Sequence, residues 1–462
     1  MKRNVSKKVV SFFIVIAFFG LTLVPVMNAQ QTADESTYDL LIITPSKFTR
    51  ALHPLVEHKN RVGVQTTMVT LGQIYQEMTE GRDKPEKIKY FIKDAVEEWG
   101  IKYVMLVGNF RSMPVRYCYN DEPWEGFPEP NFISELYYAD IYDSEGNFSS
   151  WDTNDNGIFG EWKGESAQDY NIDLYPDVFV GRLACRNRLE VRIMVNKIIT
   201  YETTTYGEEW FNRIVAIAGD TYPDGQYPFP TPEYEGEENA LIAIEYMPDF
   251  EPTTLFTSDE TLSGPDDVID AITQGCGFLF FDGHANPGSW STHKPNSSEW
   301  VSGLSLQTMS QLRNGYKLPV CIVGGCHNLQ FDVALTNFLK GFKEAWYHGI
   351  WYPECWGWKL TRKISGGSIA TIGCSGLGMT KEDKESQEGA SDFLDPQFFY
   401  ECGMNGTDVL GEAWGNTITN YLHQYPINWS TPAGWDYAID AKTVQQWILL
   451  GDPSLKIGGY PQ

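Results

Sequence analysis

The chain has 462 residues, of which 42% are hydrophobic and 21% charged, and its formal net charge is −26. The length exceeds one ordinary domain, and the composition is that of a folded globular protein, which excludes intrinsic disorder. The acidic excess disfavours nucleic acid and anionic membranes as partners, because both call for a basic surface.

The first 29 residues have the pattern of a secretory signal peptide. A basic start, MKRNVSKK, precedes a nearly unbroken apolar run at 9–27, and Ala29 offers a small residue for cleavage. About 18 apolar residues also suffice to span a bilayer, so an uncleaved N-terminal anchor is the alternative. We expect the rest of the chain, which begins with a polar spacer at 30–37, to be secreted or held at the cell surface.

Strand-like and helix-like segments alternate through the first half of the chain. Apolar runs predict strands at 39–44, 64–70, 103–107 and 178–180, and helical periodicity predicts helices at 46–60, 84–99 and 188–203. A Trp-, Asp- and Gly-rich stretch at about 117–175 interrupts the alternation and is predicted to be an insertion of loops. We assign 38–205, with this insertion, to an N-terminal α/β subdomain.

The same alternation runs through 206–462, a second subdomain. It predicts strands at 214–218, 277–281, 318–323 and 368–372, and helices near 237–247, 265–274, 335–347, 354–364, 407–422 and 440–448. Strands that are apolar throughout and alternate with helices indicate an α/β fold with a parallel-rich sheet sandwiched by helices. In such sheets the chemistry lies beyond the carboxyl ends of the strands.

The eight cysteines favour neither a disulfide framework nor a zinc site. Their spacings are wide, and the sequence has no C-x-x-C and no H-E-x-x-H motif. Structural zinc needs clustered Cys and His ligands at short spacing. We therefore expect no cofactor for catalysis.

Two predicted strand ends carry reactive side chains. Phe278 to Phe281 is followed by Asp-Gly and then His284, and the strand that ends at Val323 is followed by Gly-Gly and then Cys326. Glycine permits the close backbone approach that an attacking thiolate and its substrate need. An imidazole near a thiol favours the nucleophilic thiolate.

Each of these side chains also has a purely structural interpretation. A lone cysteine at a strand end is commonly a packing residue, and a lone histidine is commonly a hydrogen-bonded loop residue. Their joint occurrence at two strand ends favours catalysis. His327 is a rival base, although adjacent residues of an extended chain point to opposite sides.

Five sequence blocks resemble the gingipain-type cysteine peptidases, which share the caspase–hemoglobinase fold with caspases, legumains and clostripain. The blocks are YDLLIIT (38–44), YPDVFVGRLAC (175–185), FFDGHANPGSW (280–290), LPVCIVGGCHN (318–328) and LLGDPSL (449–455). The resemblance implies a caspase-like fold, with 206–462 as its catalytic subdomain. It also implies a thiol endopeptidase that acts on proteins or peptides.

The resemblance implies roles for particular residues. Cys326 matches the nucleophile and His284 the base, while Asp177 falls where an acid would orient the imidazole. A strand-edge loop acid is the other interpretation of Asp177. The N–H groups of Cys326 and Ala285 would form the oxyanion hole. The family usually has glycine at position 285, so a positive φ there would strain this chain.

Substrate preference is also carried by the resemblance, which implies an acidic pocket for Arg or Lys before the scissile bond. Glu190 lies close to where the acid of that pocket would align, although a solvated helix carboxylate explains it as well. The segment TIGCSGLGMT (371–380), with Ser375, would form another wall of the pocket.

A calcium site is predicted from Asp152, Asn154 and Asn156, which alternate before Gly157 as in an EF-hand loop. Position twelve of such a loop would be Lys163, so Glu161 or Asp140 would have to complete the site. An Asx-rich turn without an ion explains the same residues.

Three functions therefore stay open at the level of sequence. The first is peptide hydrolysis through an acyl-enzyme on Cys326. The second is sortase-like transpeptidation through the same thioester, since both reactions share the intermediate. The third is a catalytically lapsed binding or surface protein, which the departure at Ala285 would permit.

Overall fold

The computed structural model describes residues 37–120, 129, 131–223, 234–381, 389–434 and 436–461. From Thr37 onward these residues belong to one structural unit. The predicted signal peptide and residues 30–36 of the spacer lie outside the described residues.

Seventeen strands form the β-structure of the described residues. They are β1 (Leu40–Thr44), β2 (Thr66–Thr70), β3 (Tyr103–Val107), β4 (Arg116–Asn120), β5 (Phe132–Ser134), β6 (Phe159–Lys163), β7 (Ser166–Ala167), β8 (Phe179–Leu183), β9 (Arg213–Ala218), β10 (Glu251–Phe256), β11 (Phe278–Phe281), β12 (His284–Asn286), β13 (Ser289–His293), β14 (Trp300–Ser305), β15 (Val320–Val323), β16 (Ala370–Cys374) and β17 (Trp447–Leu450).

Eleven α-helices accompany these strands in the described ranges. They are α1 (Thr49–Arg61), α2 (Leu71–Glu77), α3 (Lys84–Trp99), α4 (Arg188–Thr204), α5 (Glu235–Glu245), α6 (Pro265–Gln274), α7 (Phe342–Tyr347), α8 (Trp356–Thr361), α9 (Ala390–Gly403), α10 (Leu410–Gln424) and α11 (Asp436–Gln446). Local sequence explains both ends of α3. Asp83 caps α3 by accepting the N–H of Glu86, and Gly100 ends that helix in the left-handed conformation.

Two parallel-rich sheets make up the centre of the fold. The first has the order β2-β1-β3-β8 and is parallel throughout, and the second has the order β10-β9-β11-β15-β16-β17. Only the edge pair β16–β17 of the second sheet is antiparallel. The strands β1, β3, β11 and β15 are fully buried, as expected for parallel strands covered on both faces. The α/β, parallel-rich, helix-sandwiched fold class is confirmed.

The predicted insertion of loops at 117–175 is only partly correct. The strands β4 to β7 form a four-stranded sheet there, with the order β5-β4-β6-β7. These strands have two to five residues and include Arg, Lys, Asn and Gly, so they lack the apolar run that predicts a strand. A further antiparallel sheet, β12-β13-β14, follows the strand β11.

The boundary between the two subdomains at 205/206 stays a prediction. The strands of the first central sheet end at Leu183, and those of the second begin at Arg213. The helix α4 lies between them in the chain.

All eight cysteines are described, and none forms a disulfide. Six are buried, and only Cys326 and Cys402 are partly exposed. Within the described ranges, no group of three or more His, Cys, Asp or Glu side chains is arranged to hold a metal ion. None of the described helices is long and apolar enough to cross a membrane.

Candidate active site

Cys326 and His284 follow two neighbouring strands of the second sheet. The strands β11 and β15 pair in parallel, with Phe281 opposite Val323. Each reactive residue lies three positions beyond this matched pair. Because the carboxyl ends of parallel strands meet at one edge, the sequence brings the two side chains to the same place.

Gly325 allows the two strand-end loops to touch. Its φ is +109°, and a Cβ there would lie 2.6 Å from the Ala285 nitrogen and 2.8 Å from the Gly283 oxygen. Any larger residue would push the loop of Cys326 away from the loop of His284. The glycine that precedes the cysteine is therefore required by geometry.

Cys326 and His284 line one cavity, whose empty space is about 430 Å³ when the solvent at its open mouth is included. Thr221, Tyr222 and the segment 378–380 form other parts of its lining. Four carboxyl side chains also line it: Glu235, Asp282, Asp392 and Asp395. None of the described lining residues is Lys or Arg, so the cavity has an acidic wall.

A backbone carbonyl orients the imidazole of His284. The Nε2 atom lies 2.7 Å from the carbonyl oxygen of Thr221. A carbonyl can only accept a hydrogen bond, so Nε2 carries the proton and the neutral ring leaves Nδ1 with a lone pair. The rings of Tyr222, His293 and Trp300 surround His284 edge-on at 5.3 to 5.5 Å.

Burial keeps both reactive groups neutral in the structure. It lowers the pKa of His284 to about 4 and raises the pKa of the Cys326 thiol to about 11. The Sγ atom of Cys326 lies 3.9 Å from the carbonyl oxygen of Gly378. The resting pair is therefore a thiol and an imidazole and not an ion pair.

The four cavity carboxyls have raised pKa values. Burial is the main cause, and for Asp282, Asp395 and Glu235 a neighbouring carboxylate adds to it. The pKa values of Glu235 and Asp282 are about 8 and that of Asp392 is about 6, while that of Asp395 is well above its usual range. A cation that entered the cavity would relieve this repulsion.

His327 faces away from this cavity. Its φ of 55° turns the chain after Cys326, and its Nε2 lies 3.7 Å from Glu129 Oε1. The rival base is not among the described residues that line the cavity.

Glu129 and Lys442 hold Leu377, the residue before the cavity wall at 378–380. The carboxyl group of Glu129 accepts a hydrogen bond from the N–H of Leu377 at 3.0 Å and pairs with Nζ of the buried Lys442 at 2.6 Å. Gln446 donates to the Leu377 carbonyl at 2.8 Å. The next residue, Gly378, contacts the Cys326 thiol, so this network positions the wall that faces the thiol.

Asp177 does not orient the imidazole, which corrects the role implied by the resemblance. It lies at the amino end of β8, whereas the reactive residues follow the carboxyl ends of their strands. Its carboxylate accepts the N–H groups of Ile141 and Tyr142 at 2.7 and 2.9 Å. Asp177 is thus a loop acid.

Glu190 and Ser375 do not line the cavity either. Glu190 is buried at the start of α4 and binds Arg186 at 2.7 Å, so its charge is already compensated. Ser375 is buried behind the wall and donates to the Ile133 carbonyl at 2.5 Å. The predicted segment 371–380 does contribute to the cavity, but through residues 378–380.

Ala285 carries no backbone strain. It lies in β12, and its φ is not positive. Alanine therefore replaces the usual glycine without cost to the loop. The role of its N–H in an oxyanion hole stays a prediction.

The predicted calcium ligands do not form one cage. Asp140 lies apart, buried, where it accepts the indole N–H of Trp151 at 3.0 Å. The carboxylate of Asp152 accepts hydrogen bonds from the guanidinium of Arg82 at 2.7 Å and from the N–H of Gly157 at 3.0 Å.

The remaining predicted ligands bond to groups of the same loop. Asn154 accepts the N–H of Asn156 at 3.0 Å. The Asn156 side-chain amide donates to Glu161 at 2.7 Å. The side-chain oxygens of this loop already accept hydrogen bonds from its own N–H groups. The guanidinium of Arg82 supplies the positive charge that faces Asp152. The residues present therefore do not fit a calcium site.

Sequence reasoning missed Thr221 and the cavity carboxyls of α5 and α9. Thr221 follows the carboxyl end of β9, so the same strand-end rule could have identified it. The helix α9 was not predicted, because its residues Ala390–Gly403 include Pro396 and lack a clear apolar face.

The chain is similar to known proteins in sequence and in fold. The sequence matches peptidase family C25 over residues 33–458. Gingipain R2 of Porphyromonas gingivalis is 22% identical over 309 residues, which are 66% of this chain and 34% of that protein. The chain thus spans about a third of that relative. An uncharacterized protein of Archaeoglobus fulgidus is 22% identical over 351 residues, covering 73% of this chain and 75% of that protein.

Two solved structures share the fold. The complex of the pro- and mature domains of Porphyromonas gingivalis RgpB superposes with a TM-score of 0.62 at 18% identity, covering 91% of this chain and 79% of that chain. The Arg-specific cysteine proteinase gingipain R superposes with a TM-score of 0.61 at 18% identity, covering 92% of this chain and 79% of that chain. With the family match across nearly the whole sequence, these findings show that the chain belongs to peptidase family C25.

Proposed function

We propose that this chain is an exported cysteine endopeptidase that hydrolyses peptide bonds through Cys326 and His284. The observation that carries the proposal is the single acidic cavity lined by this thiol and this imidazole, at adjacent strand ends. The signal-like segment at 1–29 supports export.

The neutral resting pair favours general-base attack. The Nδ1 lone pair of His284 takes the thiol proton as Sγ bonds to the substrate carbonyl carbon. The N–H groups of Cys326 and Ala285 would stabilise the oxyanion. The imidazolium then gives its proton to the leaving amine as the C–N bond breaks. Water next hydrolyses the thioester to a carboxylic acid and regenerates the thiol.

We further propose that the enzyme prefers Arg or Lys before the scissile bond. The four carboxyls of the cavity support this preference, because a cationic side chain would stabilise their ionised forms and carry its own hydrogen-bond donors into the cavity. Glu235 and Asp395 each have one buried carboxyl oxygen without a hydrogen-bond partner. These two are the acids to test first.

The experiment is a set of fluorogenic peptides that differ only in the residue before the scissile bond, assayed with reductant. Wild type is compared with Cys326→Ala, Glu235→Gln and the matched control Glu190→Gln, which removes a buried carboxylate outside the cavity. We expect cleavage after Arg or Lys that Cys326→Ala abolishes and Glu235→Gln weakens more than Glu190→Gln.

Each other outcome contradicts a separate part of the proposal. Cleavage after other residues, lost in Cys326→Ala, would keep the mechanism and remove the basic preference. Transfer of the acyl group to an added amine in place of hydrolysis would indicate a transpeptidase. No cleavage by folded wild type would indicate a binding protein on a lapsed peptidase scaffold.

A further inference from the structure

A row of stacked aromatic side chains lies between residues 335 and 352. Phe338 and Phe342 stack at 5.2 Å, and Trp346 and Trp351 stack at 5.7 Å with an angle of 8° between the rings. Trp351 also stacks on Tyr352 at 4.4 Å and on Phe338 at 5.5 Å. We call these five side chains the aromatic ladder.

Much of the aromatic ladder faces solvent. Phe342 is 68% exposed and Trp346 62%, and the neighbouring Leu339 is 88% exposed. Exposed apolar side chains are normal when scattered, but a contiguous group of this kind marks a binding surface. Aromatic rings suit that role because they supply a large contact area at a small cost in conformational entropy.

The aromatic ladder touches the hairpin that begins at His284. The ring of Tyr352 lies against Gly288, where a Cβ would come within 2.3 Å of it, and Gly288 joins the strand of His284 to the next strand. A substrate chain that leaves the active site on this side therefore meets the aromatic ladder.

Charge distinguishes the aromatic ladder from the cavity. Lys340 and Lys343 are exposed beside it, whereas the cavity is lined by four carboxyls. An apolar stretch with acidic neighbours complements the ladder, and the same stretch would be rejected by the cavity.

We propose that the aromatic ladder is a second substrate-binding surface, which holds an apolar, acid-flanked stretch of an unfolded protein substrate away from the scissile bond. This inference rests on the proposed peptidase function. The inference predicts that long substrates bind more tightly than short peptides that span only the scissile bond.

The test uses reduced, carboxymethylated α-lactalbumin as the long, acidic, unfolded substrate and a short fluorogenic peptide as the other. The variant is Phe342→Ser/Trp346→Ser. The matched control, Tyr206→Ser/Leu241→Ser, removes two exposed apolar side chains elsewhere. We expect the ladder variant to raise KM for the long substrate about tenfold, as for the loss of two aromatic anchors, without changing cleavage of the short peptide. The control should behave as wild type.

Binding to the Cys326→Ala protein separates this inference from the peptidase proposal. If that protein binds carboxymethylated α-lactalbumin, and the ladder substitutions in the same background weaken binding about tenfold, the surface exists whether or not wild type cleaves. The inference would be overturned if the ladder substitutions raised KM equally for both substrates. It would also be overturned if they changed neither KM nor the affinity for the long substrate. Two other results would also overturn the inference. If the ladder substitutions abolish only sedimentation with phosphatidylglycerol vesicles, the aromatic ladder binds a lipid surface. If they abolish only self-association, it binds a second copy of the chain.

Discussion

The Nε2 atom of His284 is hydrogen-bonded to the carbonyl oxygen of Thr221 at 2.7 Å. A carboxylate in this place would titrate and would stabilise the imidazolium by a full charge, whereas a carbonyl fixes the same tautomer through a dipole that no change of pH removes. Burial destabilises the imidazolium form of His284, and the Thr221 carbonyl offsets this effect only in part, so the pKa of His284 is lowered to about 4.

The first prediction concerns Asp177. Among the described residues, the carboxylate of Asp177 accepts hydrogen bonds from the backbone of Ile141 and Tyr142. The substitution Asp177→Asn should therefore change kcat/KM by less than about threefold, far from the loss of about 10⁴ that follows when the acid of a triad is replaced. Steady-state kinetics measure this, with His284→Asn as the inactive control. A loss above a hundredfold would return Asp177 to the catalytic site.

The second prediction concerns pH. The pKa values of Asp392, Glu235 and Asp282 are raised to about 6, 8 and 8, so these carboxyls become charged as pH rises through 6 to 8. The ratio of kcat/KM for an Arg peptide to that for its citrulline analogue should therefore increase from pH 5 to pH 9. Because citrulline is neutral, the ratio cancels titration of His284 and Cys326. If this ratio does not change with pH, the cavity carboxyls do not determine the preference for Arg.

The third prediction concerns Gly325. The substitution Gly325→Ala should abolish activity, because its Cβ would lie 2.6 Å from the Ala285 nitrogen. Gly63→Ala is the matched control: its φ is +95°, but nothing lies within 4 Å of the added Cβ. Both variants incur the strain of a positive φ, about 1 kcal/mol, and only Gly325→Ala adds a clash. Thermal melts and kinetics separate the two effects.

A companion to that test is Ala285→Gly. Since Ala285 has an ordinary backbone conformation, restoring the family's glycine should leave kcat/KM within about threefold of wild type. A large gain in activity would contradict the unstrained loop.

The fourth prediction concerns Glu129. The substitution Glu129→Gln weakens the support of the wall at Leu377 and leaves the buried Lys442 facing a neutral amide. We expect a raised KM and a loss of roughly 1–3 kcal/mol of stability, as for weakening a buried hydrogen-bonded pair. Adding Lys442→Met should restore part of the stability, measured by denaturant unfolding. Equal loss in the single and double variants would contradict a coupled pair.

The fifth prediction concerns the loop at 152–157. Because Arg82 binds Asp152 at 2.7 Å and Asp155 at 3.0 Å, a chelator should change the melting temperature of wild type by less than about 2 °C. Arg82→Ala should lower it by more. Calcium-dependent stabilisation of wild type in a titration would support the predicted ion and contradict the role of Arg82.

Much of the central fold could be predicted from the sequence, because buried parallel strands are continuous apolar runs. The helices at 84–99 and 265–274 and the strand at 103–107 agree with the structure residue for residue. The short strands at 116–167 could not be found this way, since their pairing depends on tertiary contacts.

The site was predictable only where it follows a strand end. His284 and Cys326 meet this rule and line one cavity. The acids Asp392 and Asp395 come from α9, more than sixty residues after Cys326 along the chain, so no local pattern joins them to it. Glu190 was misplaced because alignment to a family motif does not show that Arg186 already neutralises it.

The absence of disulfides among the eight described cysteines has a practical meaning for the proposed exported peptidase. Its fold owes nothing to oxidation, so a reductant that keeps the Cys326 thiol active would not loosen the protein. Oxidation would in turn reach the partly exposed Cys326 and Cys402 before the six buried thiols. Redox conditions would then switch activity on and off while the folded state persists.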